Sequence, residues 1–218
     1  MTFSIVARCP RTGQVGAAVA TSSIAVGARV AYCAAGVGAV LTQHRTDPRL
    51  GPRGLALLRS GCTAQETLAA LTASTALAHW RQLAVLDAAG NTATFSGART
   101  KPELGEAAAQ NVCAIGNILA DPLVPAAMLR GLQAVPHVPL PERLLHALDE
   151  GLAAGGEHQP VRSAHLLVVE ADTFPLVDLR VDWHEQPIAE LRALWNHYKP
   201  QTGDFRLRAL DPDNPGIT

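Results

Sequence analysis

The sequence predicts an α+β protein in which two antiparallel sheets pack face to face with helices outside both. Three observations lead there. The order of elements is strands, helices, strands, helices, strands, helix, whereas a parallel α/β fold alternates strand with helix. The strands come as hairpins punctuated by Pro and Gly. Several strands are apolar along both faces, which requires cover on each side. With 218 residues, 48% of them hydrophobic and 17% charged, the chain has material for a sizeable core.

The runs TFSIVARC and QVGAAVATS are joined by PRTG and read as the first hairpin. A third β-like run spans residues 36–43, GVGAVLTQ, whose glycines permit close approach of backbone or ligand. Two helices follow. PRGLALLRSG groups Leu55, Leu57 and Leu58 and stops at Gly61, and Thr63 with Glu66 three residues on forms a capping box for TAQETLAAL. WRQLAVLDAAGNTATFSG reads as a second hairpin, and residues 98–109 as a connection. NVCAIGN is a strand, Pro122 to Gly131 is helical, and ERLLHALDEGLAAGG is a helix with Leu144, Leu145, Leu148 and Leu152 on one side, ended by Gly155 and Gly156. SAHLLVVEA and LVDLRVD make the last strand pair, and IAELRALWNHY a short amphipathic helix. No linker divides residues 1–199, which read as one domain; residues 200–218, rich in Pro, Gly and Asp, read as a peripheral tail.

Composition excludes several classes of function. A net charge of −1 gives no electrostatic grip on nucleic acid or an anionic membrane. No apolar run is long enough for a membrane span and no basic, apolar leader opens the chain, so a cytoplasmic protein is expected. Cys9, Cys33, Cys62 and Cys113 are dispersed, and the eight histidines form no HExxH or HxH pair. Neither a metal nor another cofactor is expected. A P-loop and a GxGxxG are also missing.

Chemistry-bearing residues gather in five stretches. Thr2 stands behind Met1. It is either the first residue of a buried strand or, once Met1 is trimmed, a nucleophile whose own α-amine acts as general base. Thr21, Ser22 and Ser23 close the second strand beside the start of the first, where their hydroxyls satisfy a turn or contact a reacting group. In TQHRTDPRLGPRG, Thr42 and Gln43 are candidate oxyanion donors, His44 and Arg45 candidate substrate contacts, and Arg45, Arg49 and Arg53 candidate carboxylate ligands or a solvated face. Asn117, in IGN, either follows a turn glycine or orients a carbonyl. Glu157 is a helix-end carboxylate or a pocket wall.

Taken together, TFSIVARCPRTGQVGAAVATSSIAVGA, AGVGAVLTQHRTDPRLGPRGLALL, AIGNILA, GGEHQPVRSAHLLVVEA and VDLRVDWHEQPIAEL resemble, collinearly from Thr2 to about Trp195, the bacterial family catalogued as domain of unknown function 1028. That family is placed in the N-terminal-nucleophile (Ntn) hydrolase superfamily. The resemblance implies a four-layer αββα sandwich with Thr2 at the nucleophile position; the expectation of a small-molecule amide substrate follows from that nucleophile and not from the family. A looser similarity to the bacterial proteasome-like protease lies in the Met-Thr start and in Ile115-Gly116-Asn117. The departures are clear. Proteasome-type sites carry an aspartate ending strand two and a lysine on the next strand, but AVATSS and GARVAYC offer only hydroxyls and Arg29. His44 and His165 stand where smaller residues are common. No chemical role is established for that family as a whole, so no substrate is carried over. The expected protein is an amidohydrolase, or a non-catalytic binding or assembly protein of the same fold. Small-residue strands and Trp183, Trp195 and Tyr198 near the C-terminus suggest a homodimer or higher homo-oligomer.

Overall fold

The computed structural model describes residues 1–101 and 103–214. Its first hairpin joins β1 (Thr2–Arg8) to β2 (Val15–Thr21), with Phe3 opposite Ala20 and Arg8 opposite Val15. Further strands are β3 (Ala31–Ala34), β4 (Gly38–Gln43), β5 (Gln82–Asp87), β6 (Thr92–Ser96), β7 (Leu104–Ala109), β8 (Val112–Asn117), β9 (Ser163–Val169) and β10 (Val177–Val181). They form two sheets, ordered β10-β9-β2-β1-β8-β7 and β3-β4-β5-β6. Every pairing in both is antiparallel.

The helices are α1 (Leu50–Arg59), α2 (Ala64–Ala73), α3 (Val124–Ala134), α4 (Leu140–Ala153), α5 (Pro187–Tyr198) and α6 (Thr202–Leu210). The expected capping box closes α2: Thr63 Oγ1 accepts from the Glu66 amide at 3.2 Å, and Glu66 Oε2 accepts from the Thr63 amide at 2.8 Å. Each such cap satisfies amides that the helix leaves without partners.

Strand periodicity sorts the apolar residues into three cores. Phe3, Ile5 and Ala7 of β1 point toward α3 and α4, joining Met128, Leu144 and Leu148. Val6 points the other way and joins Ala17, Val19 and Ile115 of its own sheet with Leu41 and Leu86 of the other. Val40, Leu83 and Val85 use the far face of the second sheet to cover Leu55, Leu58 and Leu71 of α1 and α2. β1, β2, β4, β5, β8 and β9 are thus apolar on both faces because both are covered. Alanines 17, 31, 39 and 84 keep the space between the sheets thin.

Three expectations need correction. Residues 98–109 are not all connection, since Leu104–Ala109 form the edge strand β7, paired with β8 from Leu104–Asn117 to Ala109–Val112. LGEAAA carries little intrinsic β preference, so its strand state comes from the ladder that β8 offers. The run predicted over 36–43 starts as a strand only at Gly38. Gly36 has φ +68° and turns the chain between β3 and β4. At Gly38 itself, φ is +140° and an added Cβ would lie 2.1 Å from the Leu86 carbonyl oxygen, which explains the glycine. Trp195 does not face a partner. It is 4% exposed inside the core beneath α5, while Trp183 is 61% exposed. Tyr198 is half-buried with its ring 5.3 Å from Phe205 of α6, and Arg206 of that helix pairs with Asp172. Among the described residues no helix is long and apolar enough to cross a membrane.

Candidate active site

One end of the space between the sheets is polar. Thr2 lies opposite Asn117, Thr21 opposite Ser163, and Gln43 opposite Gln82. Each continues the alternation that places Val6, Val19, Ile115, Leu41 and Ala84 in the inter-sheet core. The fold therefore brings together side chains more than a hundred residues apart, at the open ends of β1, β2, β4, β5, β8 and β9. Thr2 is 6% exposed, and Thr21, Gln43, Gln82 and Asn117 are fully buried.

A line of hydroxyls runs from the surface to Met1. Arg29 Nη2 donates to Ser23 Oγ at 2.6 Å, and Ser23 Oγ lies 3.3 Å from Thr21 Oγ1. Thr21 Oγ1 donates to the Met1 carbonyl oxygen at 2.6 Å, and the Thr2 hydroxyl donates to the same oxygen. A guanidinium only donates, so the Ser23 proton is free to point to Thr21, and the Thr21 proton to Met1. The positive charge polarises the line in one direction. Arg29 Nη1 also donates to the Ile24 and Ala25 carbonyls at 2.6 and 2.7 Å, which fixes the loop after β2. Ser163 Oγ donates to the Ser23 carbonyl at 2.6 Å and accepts from the Val26 amide at 3.2 Å.

Glu157 forms the wall beside this line. Two successive glycines at positive φ, Gly155 and Gly156, swing the chain out of α4 so that residue 157 bridges to Leu119. Its side chain is 7% exposed, with Oε2 accepting from the Ser22 amide at 3.1 Å and Oε1 without a partner among the described residues. Burial raises the Glu157 pKa above the ordinary carboxylate range, against the pull of the Ser22 hydrogen bonds and of the Met1 ammonium. Burial likewise holds the Met1 amine below its ordinary value, with Glu157 opposing. More of an amine so lowered is unprotonated near neutrality and available to take a proton.

Behind Thr2 lies a closed amide network. Ser4 Oγ donates to Gln43 Oε1 at 2.8 Å, Gln43 Nε2 to Gln82 Oε1 at 2.7 Å, and Asn117 Nδ2 to Gln82 Oε1 at 3.0 Å. Gln82 Nε2 donates to the Gly116 carbonyl at 2.9 Å and to Ser96 Oγ at 3.1 Å. Gln43 and Asn117 each give one amide N–H to Gln82, while Asn117 Oδ1 is buried without a partner among the described residues. Both residues thus brace the site, and each keeps a second amide N–H for the oxyanion role expected of it. Thr42 is not in the site. It sits on the opposite face of β4, and its hydroxyl donates to the Asp47 carbonyl at 3.3 Å.

His44 and Arg45 leave β4 through two left-handed residues, φ +53° and +49°. His44 Nδ1 donates to the Trp80 carbonyl at 2.8 Å, so Nε2 is the acceptor for the Lys101 amide at 3.3 Å. Burial keeps the His44 pKa below the ordinary value. Arg45 and Arg99 each lie over the Trp80 ring, 4.9 and 5.5 Å from its centroid. These cations form a basic rim; Arg49 and Arg53 are in a separate cleft. Sequence reasoning missed Ser4, Gln82, Ser96 and Trp80. Gln82 carried a usable signal, being a polar residue that interrupts WRQLAVLD at an inward position.

The family model for the family of unknown function DUF1028 matches residues 2–191. No curated protein matches the chain. A crystal structure of a Silicibacter pomeroyi protein assigned to the same family is similar at a TM-score of 0.87 with 32% identity, over 94% of this chain and 89% of that one. Anbu, the ancestral beta-subunit from Yersinia bercovieri, aligns over 99% of both chains at 12% identity and a TM-score of 0.40. The match across nearly the whole sequence and the agreement with a solved member place this chain in the family of unknown function DUF1028.

Proposed function

We propose that the protein is a cytoplasmic Ntn-type amidohydrolase acting on a small amide, that its three cores amount to the four-layer αββα sandwich of that superfamily, and that Thr2 is the nucleophile once Met1 is removed. The observation that carries this reading is the convergence on Met1 of the Thr2 and Thr21 hydroxyls. Loss of Met1 would leave Thr2 with a free α-amine, near Glu157 and in a setting that already lowers an amine's pKa. It would also free the Thr21 proton, backed by Ser23 and Arg29, to hold a substrate oxygen. In the proposed reaction Thr2 Oγ1 attacks the amide carbonyl. The Thr2 amine takes the hydroxyl proton and delivers it to the leaving nitrogen, and water then hydrolyses the ester. Thr21 stabilises the oxyanion together with the remaining amide N–H groups of Gln43 and Asn117. Ser22 and Glu157 position the amine, the rim of Arg45, Arg99 and Lys101 favours a substrate bearing a negative charge, and neutral His44 beside it contacts the substrate.

A second reading is a binding or assembly protein of the same fold without turnover. It is favoured by the Met1 carbonyl, which closes over Thr2, and by Arg29, which cannot accept a proton as the proteasome lysine does.

Intact-mass measurement on protein from its own host is expected to show loss of one methionine. A panel of small amides, N-acyl amino acids, lactams and short peptides is then hydrolysed by wild type. Thr2→Ala is expected to lose turnover by several orders of magnitude, with stability changed by no more than about 1–2 kcal/mol. Thr2→Ser should keep part of the activity. Full retention of Met1, or undiminished activity in Thr2→Ala, overturns the assignment.

A further inference from the structure

A second site lies on the far side of β4 and β5 from Thr2. Asp47, Arg49, Leu50, Arg53, Ser74, Thr75, Ala76, Leu77 and Arg81 line a cleft of about 420 Å³, within the usual size for small-molecule sites. It shares no residue with the Thr2 site.

Three guanidinium groups meet there against one carboxylate. Asp47 is already committed: Arg49 Nε and Nη2 each donate to it at 2.8 Å, and its Oδ1 also accepts from the Arg49 amide at 3.2 Å. Arg81, with a side chain 12% exposed, comes no nearer to that carboxylate than 3.9 Å, and its Nε is buried without an acceptor among the described residues. Arg53 is held by the Ser74 hydroxyl, which itself donates to the Ala70 carbonyl. One carboxylate therefore faces three positive charges: Arg49 holds it closely, Arg81 shares it at longer range, and Arg53 has none among the described residues. An excess of guanidiniums over carboxylates in one cleft favours an added anion.

We propose that this cleft binds a compact polyanion, carrying a phosphate or two or more carboxylates, held by Arg49, Arg53 and Arg81. Guanidinium forks suit both groups because each oxygen pair accepts two parallel N–H bonds. Leu50, Ala76 and Leu77 supply an apolar wall for a short carbon skeleton. The argument is independent of whether Thr2 is catalytic.

The test is titration calorimetry with inorganic phosphate and with citrate, at an ionic strength held constant with sodium chloride. Wild type is expected to bind one or both with millimolar affinity or tighter, and the better ligand distinguishes phosphate from carboxylate recognition. Arg53→Gln and Arg81→Met should each weaken binding about ten-fold, the loss expected for one charge-assisted pair. Arg11→Gln, in the turn after β1, should bind as wild type. If Arg81→Met fails to fold by circular dichroism, Arg53→Gln, on an exposed position of α1, decides the matter. Absence of binding by either anion, or wild-type affinity in Arg53→Gln, overturns the proposal.

Discussion

The Thr21 hydroxyl lies 2.6 Å from the Met1 carbonyl oxygen, with Ser23 and then Arg29 behind it. Arg29 is a permanent cation at the head of this line. It supplies positive charge through two hydroxyls without taking a proton.

On the proposed hydrolase reading, Arg29→Met is expected to lower kcat for an amide substrate by about ten- to a hundred-fold, as for loss of part of an oxyanion hole, with KM nearly unchanged. Steady-state kinetics on the purified variant checks this. A rise in KM at constant kcat would instead assign Arg29 to substrate binding.

Gln82 ties Gln43, Asn117, Ser96 and the Gly116 carbonyl together inside the protein. Gln82→Leu leaves the Gln43 and Asn117 amide groups buried without the acceptor they share. The expected loss is about 3 kcal/mol or more in urea unfolding, since each orphan costs ~1–3 kcal/mol. A change below ~1 kcal/mol would show that the network does not brace the sheets.

Asp178 sits between His165, whose Nε2 is 2.8 Å from Oδ1, and Arg180 Nε at 2.9 Å. Burial pushes its carboxyl up, but the hydrogen bonds from His165 and Arg180 outweigh this and hold it at about 2. The folded pKa is below the unfolded one. Its contribution is thus fully present above the ordinary carboxylate value and is lost as pH falls toward 2. With the side chain about one-third exposed, Asp178→Asn should cost about 1–2 kcal/mol at neutral pH and progressively less below pH ~4. Unfolding curves at several pH values test the convergence.

We propose a homodimer or higher homo-oligomer, with Trp183 in the contact. Trp183 stands two residues before the Glu185–Ala189 segment that lines an apolar groove with Leu152, Pro160 and Val161. Light scattering at micromolar concentration should give at least twice the chain mass, and Trp183→Ser should reduce it. A monomer mass for wild type rejects the proposal.

Local pattern determined most of the secondary structure. Alternation, turn residues and the Thr63–Glu66 capping box are short-range signals, and they placed both early hairpins, α1 to α5 and β8 to β10, but neither β3 nor α6, which lies in the run read as a tail. The sequence also marked Thr2, Thr21, Ser23 and Glu157 by residue type, and its resemblance led to the correct family. Only the tertiary structure made a strand of Leu104–Ala109, because an alanine-rich segment has no preference strong enough to act before β8 pairs with it. Tertiary structure alone separated Arg45, over Trp80, from Arg49 and Arg53, which join Arg81 across the sheet. It also turned the Gln43 and Asn117 amides into a network with Gln82. The reason is physical: hydrogen-bond partners of buried amides and guanidiniums are set by which strands become neighbours, and neighbours far apart in sequence leave no local trace.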